Sequence, residues 1–142
     1  MASVAVSLMW CTIASADLNE VLAEPKLERR SEMALANADA ELDRARAAYS
    51  SGKSDEFKSA INEAVRSVEV SHESLIATGK AARRHPKYFK SAEQKTRNLL
   101  KRLTTLENEV SLEDREFVEK ARKQVESIND DLVMQIMTKR KK

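Results

Sequence analysis

Residues that interrupt helices are scarce in this chain, because its 142 residues include only two glycines and two prolines. The segments between them are rich in Ala, Glu, Lys, Leu and Arg, which have the highest helix propensities. No segment shows the sustained two-residue alternation that is typical of a half-buried strand. With so few positions suited to tight turns, the sequence predicts an all-α fold made of long helices.

Glycine and proline mark most of the predicted helix boundaries. Proline suits the first position of a helix, and glycine commonly follows the last one. Ser111 and Asp114 have the spacing of a capping box, which indicates a further helix start. Whether residues 18–22 form an extra turn before the first proline stays open. The predicted helices run from Pro25 to about Ser50, from Ser54 to Gly79, from Pro86 onward and from Ser111 onward.

Each predicted helix carries apolar residues at intervals of three and four, which form one buried stripe. Short connections favour antiparallel neighbours, so we predict an up-down-up-down four-helix bundle of two helical hairpins, a single domain spanning residues 17–138. The stripes are Leu35, Ala38, Leu42, Ala45 and Tyr49; Phe57, Ala60, Ile61, Ala64, Val65, Val68, Leu75 and Ile76; Phe89, Ala92, Leu99, Leu100, Leu103 and Leu106; and Val118, Ala121, Val125, Ile128, Leu132 and Ile136.

The first sixteen residues carry no charged side chain and end in the small-residue triplet Ala14-Ser15-Ala16. The apolar run from Val4 to Ile13 is too short for an ordinary transmembrane helix, although it could instead be a buried helix. Its length and the triplet predict a secretory signal peptide over residues 1–16. We therefore expect a secreted or periplasmic protein without a membrane span after cleavage, or a cytoplasmic one if this segment is retained. The single cysteine, Cys11, lies within this segment, so the exported part would contain no disulfide.

The chain has few residues that could carry catalysis or bind a metal. Glu69 and His72 have the Glu-x-x-His spacing of di-iron bundles, but that architecture needs two such motifs and further inward glutamates. The only other histidine is His85, and there is no glycine-rich phosphate loop. We therefore predict no catalytic residues, no metal site and no cofactor.

Charge is distributed unevenly along the sequence. Residues 17–79 contain eight Lys and Arg against thirteen Asp and Glu, a net charge of −5, whereas residues 80–142 contain seventeen against ten, a net charge of +7. Between Lys80 and Arg102 the contrast is sharper, with nine basic residues and only Glu93 to oppose them. The two halves therefore have opposite polarity.

The basic residues are predicted to meet at one end of the bundle. In an up-down-up-down arrangement the end of the second helix, the start of the third and the end of the fourth lie together. Lys87 and Lys90 stand in the first turn of the third helix, where positive charge opposes the helix dipole, and free backbone amides there suit an anion. Asp17, Glu20 and Glu24 are expected near the same end, where they would neutralise part of the positive charge. The candidate anion-binding residues are Lys80, Arg83, Arg84, Lys87, Lys90, Lys139 and Arg140, the last two in a basic tail at residues 139–142.

These patterns favour an exported, non-enzymatic binding module with a protein or polyanion partner, such as a phosphate-bearing envelope component. Two alternatives stay open. The apolar stripes would serve a self-assembling structural protein equally well. If the chain is not exported, its basic face could follow the phosphates of a nucleic acid, although the sequence contains no recognisable base-reading motif.

Overall fold

The computed structural model describes residues 17–138, which form five α-helices and no strand. The predicted signal peptide at 1–16 and the basic tail at 139–142 lie outside the described residues. The all-α prediction is therefore confirmed for the part of the chain that the structure describes. The helices are α1 (Leu18–Ala23), α2 (Leu27–Ser50), α3 (Ser54–Ala77), α4 (Pro86–Glu109) and α5 (Leu112–Met137).

The N-terminal boundary differs from the prediction. The residues before Pro25 form α1, so the described chain has five helices rather than four, and α2 begins at Leu27 rather than at Pro25. Glu24 and Lys26 both have extended backbone, with ψ angles of 118° and 113°. The residue before a proline is disfavoured in helical geometry, which separates α1 from α2. Val21 of α1 is fully buried and packs with Ala34 and Val70, so α1 lies against α2 and α3.

Small side chains let α2 and α3 pack closely. The buried stripe of α2 carries Ser31 and a series of alanines, and Ser31 Oγ lies 2.7 Å from Ser71 Oγ of α3. Asn37 Nδ2 donates to Ser67 Oγ at 2.9 Å further along the same interface. The two helices are joined by a turn in which Gly52 has a φ of +71°, a conformation that disfavours other residues. The small side chains of this stripe thus allow α2 and α3 to approach closely.

The hairpin of α4 and α5 packs against that of α2 and α3, with α4 beside α2 and α5 beside α3. Arg102 of α4 pairs with Asp39 and Asp43 of α2, and Arg46 of α2 pairs with Glu109 one to two turns further on. From one contact to the next, the residue numbers increase in both helices, so α2 and α4 run in the same direction. The predicted up-down-up-down order did not specify which helices of the two hairpins lie side by side, because short connections report only on helices adjacent in sequence.

The predicted apolar stripes form the core with one exception. The core contains buried residues of α2, α3, α4 and α5, together with Ala82 of the connection before α4. The Phe57 ring lies 5.0 Å from that of Tyr49 and 6.5 Å from that of Phe117, and this joins α3 to α2 and α5. Ile76, placed in the stripe by its spacing, is instead 48% exposed, because the neighbouring Leu75 takes the core-facing position at the end of α3.

Candidate functional site

The connection from α3 to α4 is a well-anchored segment at one end of the bundle. Gly79 has a φ of +66° and follows α3, and the backbone amides of Arg84 and His85 both donate to the carbonyl oxygen of Ala81. Ala82 is buried in the core, which fixes the centre of the segment. The exposed basic residues on either side of Ala82 are therefore held in place by a buried side chain.

This end of the bundle brings together four separate parts of the chain. Lys80 pairs with Glu28, so the start of α2 lies beside the end of α3. A cleft of about 460 Å³ is lined by residues 80–84 together with Gln135 and Thr138, so the end of α5 is there as well. We call this end, comprising the segment 80–85, the first turns of α2 and α4 and the last turns of α3 and α5, the basic pole.

Lys80 is engaged by an acidic residue of α2. The hydrogen bond that its ammonium donates to Glu28 lowers the pKa of the Glu28 carboxyl and raises the pKa of Lys80. A charge that is already paired contributes less to the attraction of an external anion. Lys80 therefore helps to position the segment, and it adds less to the field of the pole than its sequence position suggests.

Arg83, Arg84, Lys87 and Lys90 have a different environment. All four are exposed, and none of them forms an ion pair with a carboxylate of residues 17–138. The Lys87 ammonium lies 5.5 Å from the centre of the Tyr88 ring, a cation–π contact that leaves its charge available. These four residues form a positive surface beside the cleft. Lys139 and Arg140, which follow Thr138 of the cleft wall in sequence, lie outside the described residues.

The N-terminus of α4 adds backbone donors to this surface. Pro86 occupies the first turn, the preceding residue His85 makes no side-chain capping bond, and the turn contains no acidic residue. By contrast, α3 has Asp55 and Glu56 in its first turn, and α5 has Glu113 and Asp114. Helix N-termini favour negative charge. The first turn of α4 thus has no negative side chain of its own to offset its dipole.

Two of the acidic residues that were expected to neutralise part of the pole, Asp17 and Glu24, flank α1. Glu24 pairs with Arg29 at 3.3 Å and also accepts from the Lys26 backbone amide, so its charge is engaged locally. Asp17 lies at the other end of α1, where its negative charge helps to raise the pKa of Glu41, further along α2. Lys26 itself is an exposed cation at the start of α2 that the sequence reasoning missed. The reversal of chain direction between successive helices could have indicated it, because the start of the first long helix lies beside the end of the second.

The Glu-x-x-His pattern serves a structural purpose in this fold. His72 Nε2 lies 2.6 Å from Asp131 Oδ2 of α5, and Gln135 donates to the same oxygen at 2.7 Å. Glu69 pairs with Arg66 at 3.1 Å rather than with the histidine. Within residues 17–138, no three His, Cys, Asp or Glu side chains are grouped so that they could hold a metal ion. His72 therefore links α3 to α5.

Comparisons with protein families, with characterised proteins and with solved structures find no match to this chain. No helix between residues 17 and 138 is long and apolar enough to cross a membrane. The basic pole is therefore the feature from which a function can be argued.

Proposed function

We propose that this chain is an exported, non-enzymatic helical-bundle module that binds a polyanionic or phosphate-bearing partner through the basic pole. The observation that carries the proposal is the group of exposed cations Arg83, Arg84, Lys87 and Lys90, which have no carboxylate partner among the described residues. Arg83 and Arg84 line a cleft, and Lys87 and Lys90 lie near the N-terminus of α4, whose first turn has no acidic side chain. Anions are attracted by both features.

Rigid anchoring supports this proposal. Ala82 is buried, and the amides of Arg84 and His85 are satisfied within the segment. A backbone that is already fixed loses little further conformational entropy when an anion binds, so more of the electrostatic attraction appears as affinity. The Lys80–Glu28 pair contributes by tying the segment to α2.

Export is the second part of the proposal, and it rests on the uncharged residues 1–16 and their terminal Ala-Ser-Ala triplet. Asp17 caps α1, where its side chain accepts from the Asn19 amide, so cleavage after Ala16 would remove no residue of that helix. Determination of the N-terminal residue of the natively expressed protein tests this part. A start at Asp17 supports export, and a retained Met1 or Ala2 contradicts it and favours an intracellular nucleic-acid partner.

Anion binding can be tested with two variants that remove the same number of charges. The pole variant carries Arg83→Gln, Arg84→Gln, Lys87→Gln and Lys90→Gln. The control variant carries Lys58→Gln, Lys101→Gln, Arg115→Gln and Lys120→Gln, which are exposed cations elsewhere in the bundle. We expect the pole variant to elute from an immobilised polyanion at clearly lower salt than the control variant, because clustered charge binds more strongly than dispersed charge. Equal elution of the two variants contradicts the proposal.

A further inference from the structure

Exposed apolar side chains are concentrated at the basic pole. Five large hydrophobic residues are exposed between residues 17 and 138, and three of them lie in the last turns of α3 and α5, which belong to the pole. These three are Ile76 of α3 and Met134 and Met137 of α5, with exposed fractions of 48%, 66% and 72%. The other two are Leu22, in the last turn of α1, and Leu112, at the start of α5 and so at the opposite end of that helix.

These residues are close in sequence to residues that form the basic pole. Met134 and Met137 flank Gln135 and Thr138, which form one wall of the cleft whose other wall is residues 80–84. Ile76 accepts from the Gly79 amide and so begins the turn that leads to Lys80. Leu22 lies in the last turn of α1, which leads through Glu24 to the start of α2. Positive charge and apolar area therefore occupy the same end of the molecule.

A soluble polyanion could satisfy the cations, but it would leave the methionines in water. The surface of a bilayer containing anionic phospholipids satisfies both, because phosphates at the surface attract Lys and Arg while the acyl boundary accepts apolar side chains. Interfacial binding of this kind requires no membrane span. The charge of the pole also has the sign that such a surface attracts.

We propose that the basic pole docks onto the surface of a bilayer that contains anionic phospholipids, with Met134 and Met137 inserted among the headgroups. This inference rests on the proposed function, since it names the source of the anion. Arg83, Arg84, Lys87 and Lys90 lie against the headgroup phosphates. The long aliphatic stems of the lysines cover apolar surface while their ammonium groups stay hydrated. Tyr88, half-buried beneath the Lys87 ammonium, has the amphipathic character of residues found at this depth.

Co-sedimentation with vesicles tests the proposal. The full chain is mixed with vesicles of phosphatidylcholine alone or of phosphatidylcholine with phosphatidylglycerol. The variants are the pole variant described above, the double variant Met134→Gln, Met137→Gln, and the control Leu112→Gln, which alters an exposed apolar residue at the opposite end of α5. Far-ultraviolet circular dichroism confirms that each variant is folded. Every sample contains residues 1–16 and 139–142 unchanged, so differences among the variants do not come from those segments.

We expect binding to the phosphatidylglycerol vesicles to exceed binding to the neutral ones. The double methionine variant should bind them about tenfold more weakly, since each methionine loses apolar burial. The pole variant should bind them about a hundredfold more weakly, because each of the four cations adds to the electrostatic attraction by an anionic surface. Leu112→Gln should bind like the original chain. From the immobilised polyanion, the methionine variant should elute at the same salt concentration as the original chain.

The remaining outcomes separate this inference from the proposed function. If the methionine variant binds vesicles normally while the pole variant does not, the pole binds anions without entering the membrane, and the docking inference is wrong. If the pole variant loses neither vesicle nor polyanion binding, both proposals are wrong. If the methionine variant instead has a lower sedimentation coefficient than the original chain and binds vesicles normally, these residues contact a second copy of the protein. That outcome also overturns the inference.

Discussion

Glu41 is a buried acidic residue of α2, where the surroundings disfavour its negative charge. Its residue is only 3% exposed, and its Oε2 makes no hydrogen bond, although the exposed guanidinium of Arg44 lies 3.1 Å away. Burial raises the pKa of the Glu41 carboxyl, and the negative charge of Glu63 adds to this. A buried, incompletely paired charge destabilises a folded protein.

The sign of this effect predicts a stabilising substitution. Below the ordinary carboxyl pKa of 4.5 the group is protonated in both states, and as the pH rises above it the unfolded chain ionises more readily than the folded one. The free energy of unfolding therefore falls through the interval up to the raised pKa. Glu41→Gln should increase it at pH 7 by about 0.5–2 kcal/mol, and the gain should vanish well below pH 4.5.

Urea denaturation at a series of pH values measures this gain. Glu32→Gln, at an exposed glutamate of the same helix, is the matched control and should leave the stability unchanged. A Glu41→Gln protein that is no more stable than the original chain at pH 7 would show that Arg44 compensates the buried charge.

At the scale of elements, the α2–α3 pair depends on small side chains. Ala34, Ala38 and Ala45 are fully buried on the stripe of α2 that also carries Ser31, which contacts Ser71 of α3. Small residues allow two helices to approach closely, and closely packed interiors have no room for additional methylene groups. The size of these residues therefore sets the distance between the helices.

Enlarging one alanine should disturb this pair. Ala38→Leu should lower the free energy of unfolding by about 1–3 kcal/mol, because its extra methylene groups force the helices apart. Ala47→Leu introduces the same side chain at an exposed position of α2 and should change stability by less than about 0.5 kcal/mol. Thermal unfolding followed by circular dichroism compares the two proteins. Equal stabilities would mean that the interface has spare volume.

At the scale of the whole molecule, the opposite charges of the two halves partly face each other. Arg102 of α4 bonds to Asp39 and Asp43 of α2 and also donates to the Asp39 carbonyl oxygen at 3.1 Å. Lys80 pairs with Glu28 in the same sense. Part of the charge asymmetry thus holds the two hairpins in register, and the remainder is left at the basic pole.

Arg102 offers a test of this structural use of charge. Its guanidinium is partly buried and makes several bonds, so Arg102→Gln should destabilise the fold by about 1 kcal/mol at low salt and by less at high salt. A double-mutant cycle with Asp39→Asn plus Asp43→Asn should recover most of that difference as coupling. Lys101→Gln removes a neighbouring exposed charge and should have no comparable effect. Absence of coupling would mean that apolar packing alone sets the register of the hairpins.

The helices and most of the core could be predicted from the sequence, because both depend on neighbours within a few residues. Gly52, Gly79 and Pro86 mark turns by their own backbone preferences, and the three- and four-residue spacing identifies the buried face of each helix. The sequence left open whether residues 18–22 are helical, because α1 depends on the packing of Val21 against α2 and α3. A six-residue helix has too few internal hydrogen bonds to form by itself.

The tertiary structure alone decided which charges remain available and where the exposed apolar residues gather. Glu28 and Lys80 are 52 residues apart in the chain, and nothing in the local pattern of either shows that they pair. In the same way, the local sequence does not show that Ile76 and Met134 are exposed, because exposure depends on which other elements cover a residue. Local sequence determines helices because their hydrogen bonds are short-range, whereas a surface is assembled from residues that only packing brings together.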